Sequence, residues 1–580
     1  MYRGLATLFG IALAHGGSRR VAVVRDGVRD GVSFKVAEAV GGGDELAWGE
    51  YKDGNSQDGW NELAITATPL TSSTADWLVS RFSMGYLEGQ LTCKEITLFY
   101  PNFYNDLFGS GNEPGAATVT FMKAQYEWSK AQAEAQFESD EYWLAQLGTV
   151  RQLEGLFKGF VESDCQAQAV KSSFRWDSLS APTFEQFLLI NGWGDMYQIA
   201  LKFRMPDKEG DLNPAPLAER RYGFGQRVKM QRCSALVKIL PENKDVLFAH
   251  NTWDGFGSLG PRIFKHYSFP FPSLQMGTSG LYDVHFSSSP LLLSSVDDFF
   301  VLNSPRANLA VTETTNSLYN VRLLDLVVPE SLLSWQRATA ANFLAKSGSE
   351  WPTLFARYAS GTYTNQWMVL DLSLFIPGKA LPAGFFSVLE EVPGLVVQQD
   401  QTATLQKQTF WSSYNSPFYP EIQKESGYKA LCLSGASEAC YDKAPRAMLF
   451  AEYQGGVRDL AGMQALMQYN NYTQDAASAG DSCQAIACRG DLEPEASKAF
   501  AGGALDAKVG SAVESRAVSG KAYAPAVYAI LGPSTSSGSL PPFCWSAFED
   551  KVKSQGKNTS YSHQGQPNCF NYAWTIFGGN

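Results

Sequence analysis

The chain has 580 residues, 44% of them hydrophobic and 18% charged, with a formal net charge of -11. That is apolar material for one large core or for several domains. The negative balance and the lack of a dense Lys/Arg block exclude an overall basic field, so nucleic acid is not expected as a partner.

The amino terminus, MYRGLATLFGIALAHGG, carries Arg3, an apolar run over residues 5–14 and then glycines. The run falls well short of the roughly 20 residues that span a bilayer, so residues 1–16 are expected to be a signal peptide. No later run is long and uninterrupted enough for a transmembrane segment, and the expectation is export through the secretory pathway.

From residue 19 to about 68, RRVAVVRDG, VSFKVAEAV and NELAITATP alternate as short strands between glycine-rich turns. Residues 73–166 change period. TADWLVSRFSMGYLEGQLT, TVTFMKAQYEWSKAQAEAQ and DEYWLAQLGTVRQLEGLFKGFVES place apolar residues at helical spacing and predict a helical layer. A further helix is predicted in TFEQFLLINGWGDMYQIALKF. The segment that follows, residues 204–232, is charged and rich in breakers, which predicts an exposed, protease-accessible stretch.

CSALVKIL then begins at Cys233, Pro241 to Lys244 form a polar turn, and VLFA leads to His250: a β-hairpin with the cysteine at its start. Further strands are predicted in residues 281–318, in NQWMVLDLSLF, in GFFSVLEEVPGLVVQQDQT and in QTFWSSYNSPFYPEI. A helix is expected over residues 457–469 and a loop-rich tail over 523–580.

Nine cysteines are present. Spacing suggests small loops closed by Cys432–Cys440 and Cys483–Cys488, a C-terminal fastening by Cys544–Cys569, and Cys93–Cys165 as the remaining pair. Cys233 is left alone. A spare thiol in an oxidising compartment needs a buried site or a task. Sequons at Asn471 and Asn558 add glycosylation sites consistent with that compartment.

Five histidines and the absence of an H-E-x-x-H motif, a G-x-S-x-G elbow, a phosphate loop or a dinucleotide fingerprint count against metal, nucleotide and serine-hydrolase chemistry. No metal or other cofactor is expected. A cysteine nucleophile needs a base, and two routes stand open. His250 is one if the two strands pair. The other is the α-amine of Cys233 itself, with a reference pKa of about 7.7–8.0, which requires cleavage between Arg232 and Cys233.

CSALVKILPENKDVLFAHNTW, LAVTETTN, NQWMVLDL, VLEEVPGLVVQQDQT, WSSYNSPFYPEI, PRAMLF, LMQYNNY and ACRGDL, in that order, resemble the phospholipase B-like (lamina ancestor-like) family of lysosomal or secreted proteins. The resemblance covers nearly all the chain after the leader. It implies an α+β fold, a four-layer αββα N-terminal nucleophile hydrolase sandwich with two stacked, mainly antiparallel sheets. It also implies a precursor cut into an N-terminal fragment, residues 17–232, and a C-terminal fragment, residues 233–580, that begins at the catalytic Cys233.

The expected chemistry is deacylation of glycerophospholipids through an acyl-enzyme on Cys233. Asn415 is expected as an oxyanion donor, although an Asx turn before Pro417 is an equal reading of it. His250 is expected to shape the nucleophile's surroundings, with Asn251 and Trp253 orienting it and walling the pocket. Thr314 and Arg446 are supporting candidates, and an ordinary strand role and an ordinary salt bridge are their respective alternatives. Lipid or peptide amides are the alternative substrates, and a non-catalytic secreted lipid-binding protein is the alternative function. The family pattern has a small residue before the cysteine, whereas this chain has Arg232. That departure leaves self-cleavage and a processing protease both open.

Overall fold

The computed structural model describes residues 18–26, 33–38, 45–68, 73–108, 114–165, 181–204, 233–270, 281–494, 499–517, 523–554 and 561–579. The expected signal peptide, residues 205–232 with Arg232, and Asn558 lie outside the described residues.

Strands β1 to β4 are Ser18–Asp26, Ser33–Glu38, Glu45–Lys52 and Trp60–Ala67. Helices α1 to α4 follow as Thr74–Leu91, Cys93–Phe108, Ala116–Gln136 and Glu141–Val161. The single helix expected over 183–203 is two, α5 (Phe184–Asn191) and α6 (Trp193–Arg204), because Gly192 ends the first as its C-cap.

After Cys233 come β5 (Ser234–Ile239), β6 (Val246–Asn251), β7 (Trp253–Gly255), β8 (Arg262–Pro270), β9 (Leu281–Ser288), β10 (Phe299–Asn303) and β11 (Asn308–Thr315). Helix α7 (Ser334–Leu344) was not apparent from periodicity, since it is buried all round and mixes polar with small residues. Next are β12 (Asn365–Asp371), β13 (Phe386–Val392), β14 (Leu395–Asp400) and β15 (Phe410–Ser413). Helices Pro445–Tyr453 and Leu460–Met467 precede β16 (Gly502–Ala504), β17 (Asp506–Ser511) and β18 (Val527–Leu531). The tail carries more structure than expected: helix Trp545–Lys553 and the short strands β19 (Phe543–Cys544), β20 (Cys569–Phe570) and β21 (Thr575–Phe577).

Among the described residues, one sheet has eleven strands in the order β14-β13-β12-β11-β10-β9-β8-β4-β3-β1-β2, and a second has six in the order β15-β5-β6-β17-β18-β21. The pairings are antiparallel except for β4 with β8, where seven residues run in parallel register from Trp60↔Arg262 to Thr66↔Ser268. Alternation sorts the side chains into layers. Val237, Phe248, Val301, Met368 and Val527 fill the space between the two sheets. Ile263, Val311, Trp367 and Val369 point the other way, against Trp77, Trp143 and Ala341 of the first helical layer. Leu236, Leu247 and Val509 pack on Leu449 and Met463 of the second. The result is an α+β sandwich of two stacked sheets between helical layers.

Helices α1 and α4 touch backbone to backbone. Gly85 and Gly89 face Gly155 and Gly159, and a Cβ at Gly85 would lie 1.9 Å from the carbonyl oxygen of Gln152, one at Gly159 2.0 Å from that of Tyr86. Only glycine permits this approach.

All four expected disulfides are present: Cys93–Cys165, Cys432–Cys440, Cys483–Cys488 and Cys544–Cys569. None joins a residue before 205 to one after 232. A chain cut between 232 and 233 is therefore expected to separate into two bands in SDS without reductant. It should still elute as one particle on native size exclusion, because the β4–β8 ladder and the α1–α4 layer bind the parts. Two native peaks would contradict that reading of the sheet.

Candidate active site

Cys233 stands immediately before β5, 3% exposed, and is the one cysteine without a partner. Its φ is +67°, a left-handed conformation that costs a non-glycine residue roughly 1–3 kcal/mol unless its surroundings enforce it.

Those surroundings begin with Arg446, 1% exposed, on the helix Pro445–Tyr453. Its Nη1 donates to the carbonyl of Cys233 and, at 3.0 Å, to Ser234 Oγ. Its Nη2 donates to Tyr414 O at 2.7 Å and to Asn415 Oδ1 at 2.5 Å. The guanidinium carbon lies 4.3 Å from the ring centroid of Trp253, so the fork is held flat against an aromatic face. Burial brings the Arg446 pKa down to about 9, which leaves it charged at neutral pH. One side chain thus joins Cys233 to Asn415.

Asn415 also has a positive φ, 66°. Its Nδ2 donates to Thr315 O, and its own carbonyl accepts from Tyr428 Oη. Thr314 Oγ1 and Ser413 Oγ are 2.7 Å apart, a direct tie between β11 of the first sheet and β15 of the second.

Asn251 is placed differently from the sequence expectation. In the β5–β6 ladder Ser234 pairs with Asn251 and Ala235 with His250, so the two side chains lie on opposite faces. Asn251 Oδ1 accepts from Ser234 N at 2.9 Å and from Trp253 Nε1 at 2.8 Å. Its Nδ2 donates to Met467 O and Ile486 O, at 2.7 and 3.0 Å. The carboxamide therefore fixes the residue after Cys233 rather than the imidazole.

His250 is fully buried on the face shared with Phe248, between the sheets. Burial and then the Lys508 charge hold its pKa well below the ordinary 6.5, so the ring is neutral and a weak proton acceptor.

Sequence reasoning passed over a set of buried charges around the cysteine. Asp298 accepts from Tyr363 Oη at 2.5 Å, and burial raises its carboxyl to about 6, against that hydrogen bond, which favours ionisation. Lys508 donates to Thr252 Oγ1 at 2.6 Å and Asp506 Oδ1 at 2.7 Å, and Arg262 bridges Asp506 to Asp297. Burial, followed by the Glu313 charge, pushes the Cys233 thiol well above its ordinary range, opposed by a backbone N–H of Trp253. The paired aspartates of SSVDDFF, directly ahead of an apolar strand, were the available signal.

Asp298 and Tyr363 also line a small cavity with Asp195, Ser295 and Trp335. A wider surface groove lies over the Leu460–Met467 helix, edged by Tyr453, Tyr469 and Asn471. Asn471 is exposed and opens a turn closed by Gln474. Among the described residues no helix is long and apolar enough to cross a membrane.

The Phospholipase B family model matches residues 47–577. Phospholipase B-like 1 of Rattus norvegicus is 36% identical over 528 residues, covering 91% of this chain and 86% of that protein. Phospholipase B-like protein G of Dictyostelium discoideum is 32% identical over 549 residues, covering 91% and 86%, and Phospholipase B of Crotalus adamanteus 33% over 521 residues, covering 89% and 87%. With a match over most of its length and relatives above 30% identity, the chain belongs to the phospholipase B family.

Proposed function

We propose that the protein is a phospholipase B-like hydrolase that deacylates glycerophospholipids through a thioester on Cys233, in the manner of an N-terminal nucleophile hydrolase. The observation that carries this reading is the lone cysteine at the head of a central strand, in a left-handed conformation, with its carbonyl in the grip of buried Arg446.

In the uncut chain the nitrogen of Cys233 is an amide and cannot accept a proton. Cleavage of the Arg232–Cys233 bond adds water, leaving a carboxylate on Arg232 and a free amine on Cys233. The strained Cys233 conformation favours an N-to-S acyl shift as the first step, and Arg232 equally suits a trypsin-like protease. In the mature enzyme the α-amine takes the thiol proton, and the thiolate attacks the ester carbonyl. The oxyanion that forms is met by the second N–H of Asn415, whose first is held by Thr315. Collapse expels the glycerol oxygen, which recovers a proton from the ammonium. Water then hydrolyses the thioester, releasing a fatty acid and the thiol. His250 shapes the site as a neutral ring, and Asn251 and Trp253 hold the Cys233–Ser234 backbone. Four disulfides and the exposed Asn471 sequon support residence in an oxidising secretory compartment, either extracellular or lysosome-like.

The test is amino-terminal sequencing of protein purified from its compartment, alongside fatty-acid release from phosphatidylcholine and from an N-acylethanolamine. The expected result is a fragment beginning at Cys233 that releases acid from the ester. Cys233→Ala should remain folded and lose activity by roughly 10^3-fold or more. Preference for the amide would move the substrate class. A single active chain with Cys233 internal would overturn the mechanism, and a folded, processed but inert protein would point to lipid binding without catalysis.

A further inference from the structure

Buried arginines in this protein have acceptors. Arg262 meets Asp297 and Asp506, Arg337 meets Glu391, Arg489 meets Asp491, and Arg446 meets carbonyls and an amide oxygen. Arg81, on α1, is 1% exposed and breaks the pattern. Among the described residues its hydrogen-bond partner is the sulfur of Met84, at 3.8 Å, and its Nε has none. The guanidinium carbon instead sits 4.0 Å from the ring centroid of Phe269 and 5.1 Å from that of Phe343. Aromatic faces ease a buried cation but do not neutralise it. A buried charge left without a counter-charge is strongly destabilising.

Arg81 borders a buried cavity with space for a water-sized particle and little more. Of the polar groups around it, Thr339 Oγ1 and Asn342 Oδ1 are already bonded, to Trp335 O and Trp351 Nε1. Gln152 Nε2, Tyr282 Oη and Ser294 Oγ line the same cavity, are all buried, and like Arg81 Nε have no partner among the described residues. An amide N–H and two hydroxyls thus stand unmet beside an unmet cation. The nearby carboxylate, Glu88, is already committed to Lys265 Nζ at 2.7 Å and to Tyr267 Oη at 2.5 Å. Burial alone brings the Arg81 pKa down to about 9, with only the weak pull of Tyr267 and Tyr282 against it.

We propose that this cavity is an anion site in which one small monovalent ion, of chloride or bromide size, accepts from Arg81, Gln152, Tyr282 and Ser294. A water would satisfy some donors yet leave the charge unanswered. A phosphate ester is larger than a space that holds little more than one water. The site also spans the chain: Arg81 and Gln152 come from α1 and α4, before residue 205, and Tyr282 and Ser294 follow residue 232. The ion would tie the helical layer to the first sheet.

The test uses the purified full-length protein. Thermal melting is followed in sodium chloride and in sodium gluconate at equal ionic strength and pH, and crystals grown in bromide are measured at the bromine absorption edge. The expected result is a saturable rise in melting temperature of several degrees with chloride, absent in Arg81→Gln, and an anomalous peak beside Arg81 and Tyr282. Identical melting in the two salts, with no bromide peak in the cavity, would overturn the proposal. If Arg81→Gln does not fold, the bromide map and the salt comparison on the unaltered protein still decide it.

Discussion

Arg446→Met is expected to unfold about 3–5 kcal/mol more easily than the unaltered protein and to lose roughly 10^2-fold or more in hydrolysis. The substitution fills similar space but leaves the carbonyls of Cys233 and Tyr414 and the amide oxygen of Asn415 buried without their donor. It also frees two residues with positive φ, Cys233 and Asn415, from the group that spans them. Arg446→Lys should restore part of the stability and little of the rate, because a single ammonium cannot reach both sides as the planar fork does. Denaturant unfolding and fatty-acid release measure the two effects separately. Full activity in Arg446→Met would show that the nucleophile and the proposed oxyanion donor keep their places without it.

The second large effect concerns the thiol. In the uncut chain Cys233 is expected to resist iodoacetamide at neutral pH, because it is buried and its pKa is raised by that burial and by Glu313. The raised value keeps the thiol protonated, so alkylation of the uncut form should climb with pH across the whole range in which the protein is folded. Cleavage at 232–233 places an ammonium beside the sulfur and should accelerate the reaction by about 10^2-fold. Glu313→Gln removes the largest charge holding the thiol up and is expected to raise the reactivity of the uncut chain. Mass spectrometry of the labelled peptide reads both. Equal labelling before and after the cut would remove the new amine from the mechanism.

How much of this was legible in the sequence depends on the range of each interaction. The Cys233 hairpin, the early strands, the helical stretch to residue 165 and three of the cysteine pairs follow from local period and spacing, Cys93–Cys165 follows only as the pair left over, and the structure has them. The Arg446 fork needed resemblance, since nothing local ties residue 446 to residue 233. The buried charges were missed for a physical reason: alternation assigns polar strand residues to solvent, and in a four-layer stack both faces of each sheet are covered. Glu313 and Lys508 therefore look like surface residues and are both 0% exposed, and Asp298, just ahead of β10, is 1% exposed. The spacing of four residues between Gly85 and Gly89, and again between Gly155 and Gly159, was visible and marks the close helix crossing.

The parallel join of β4 to β8 has a consequence for the lifetime of a cut molecule. Before the cut, unfolding and refolding are events within one chain. Afterwards the eleven-stranded sheet can be rebuilt only by an encounter between two pieces, each of which exposes an apolar sheet edge while it waits. Maturation at 232–233 would thus turn a reversible folding equilibrium into a one-way loss, and the working life of the protein would be set by how slowly it first opens.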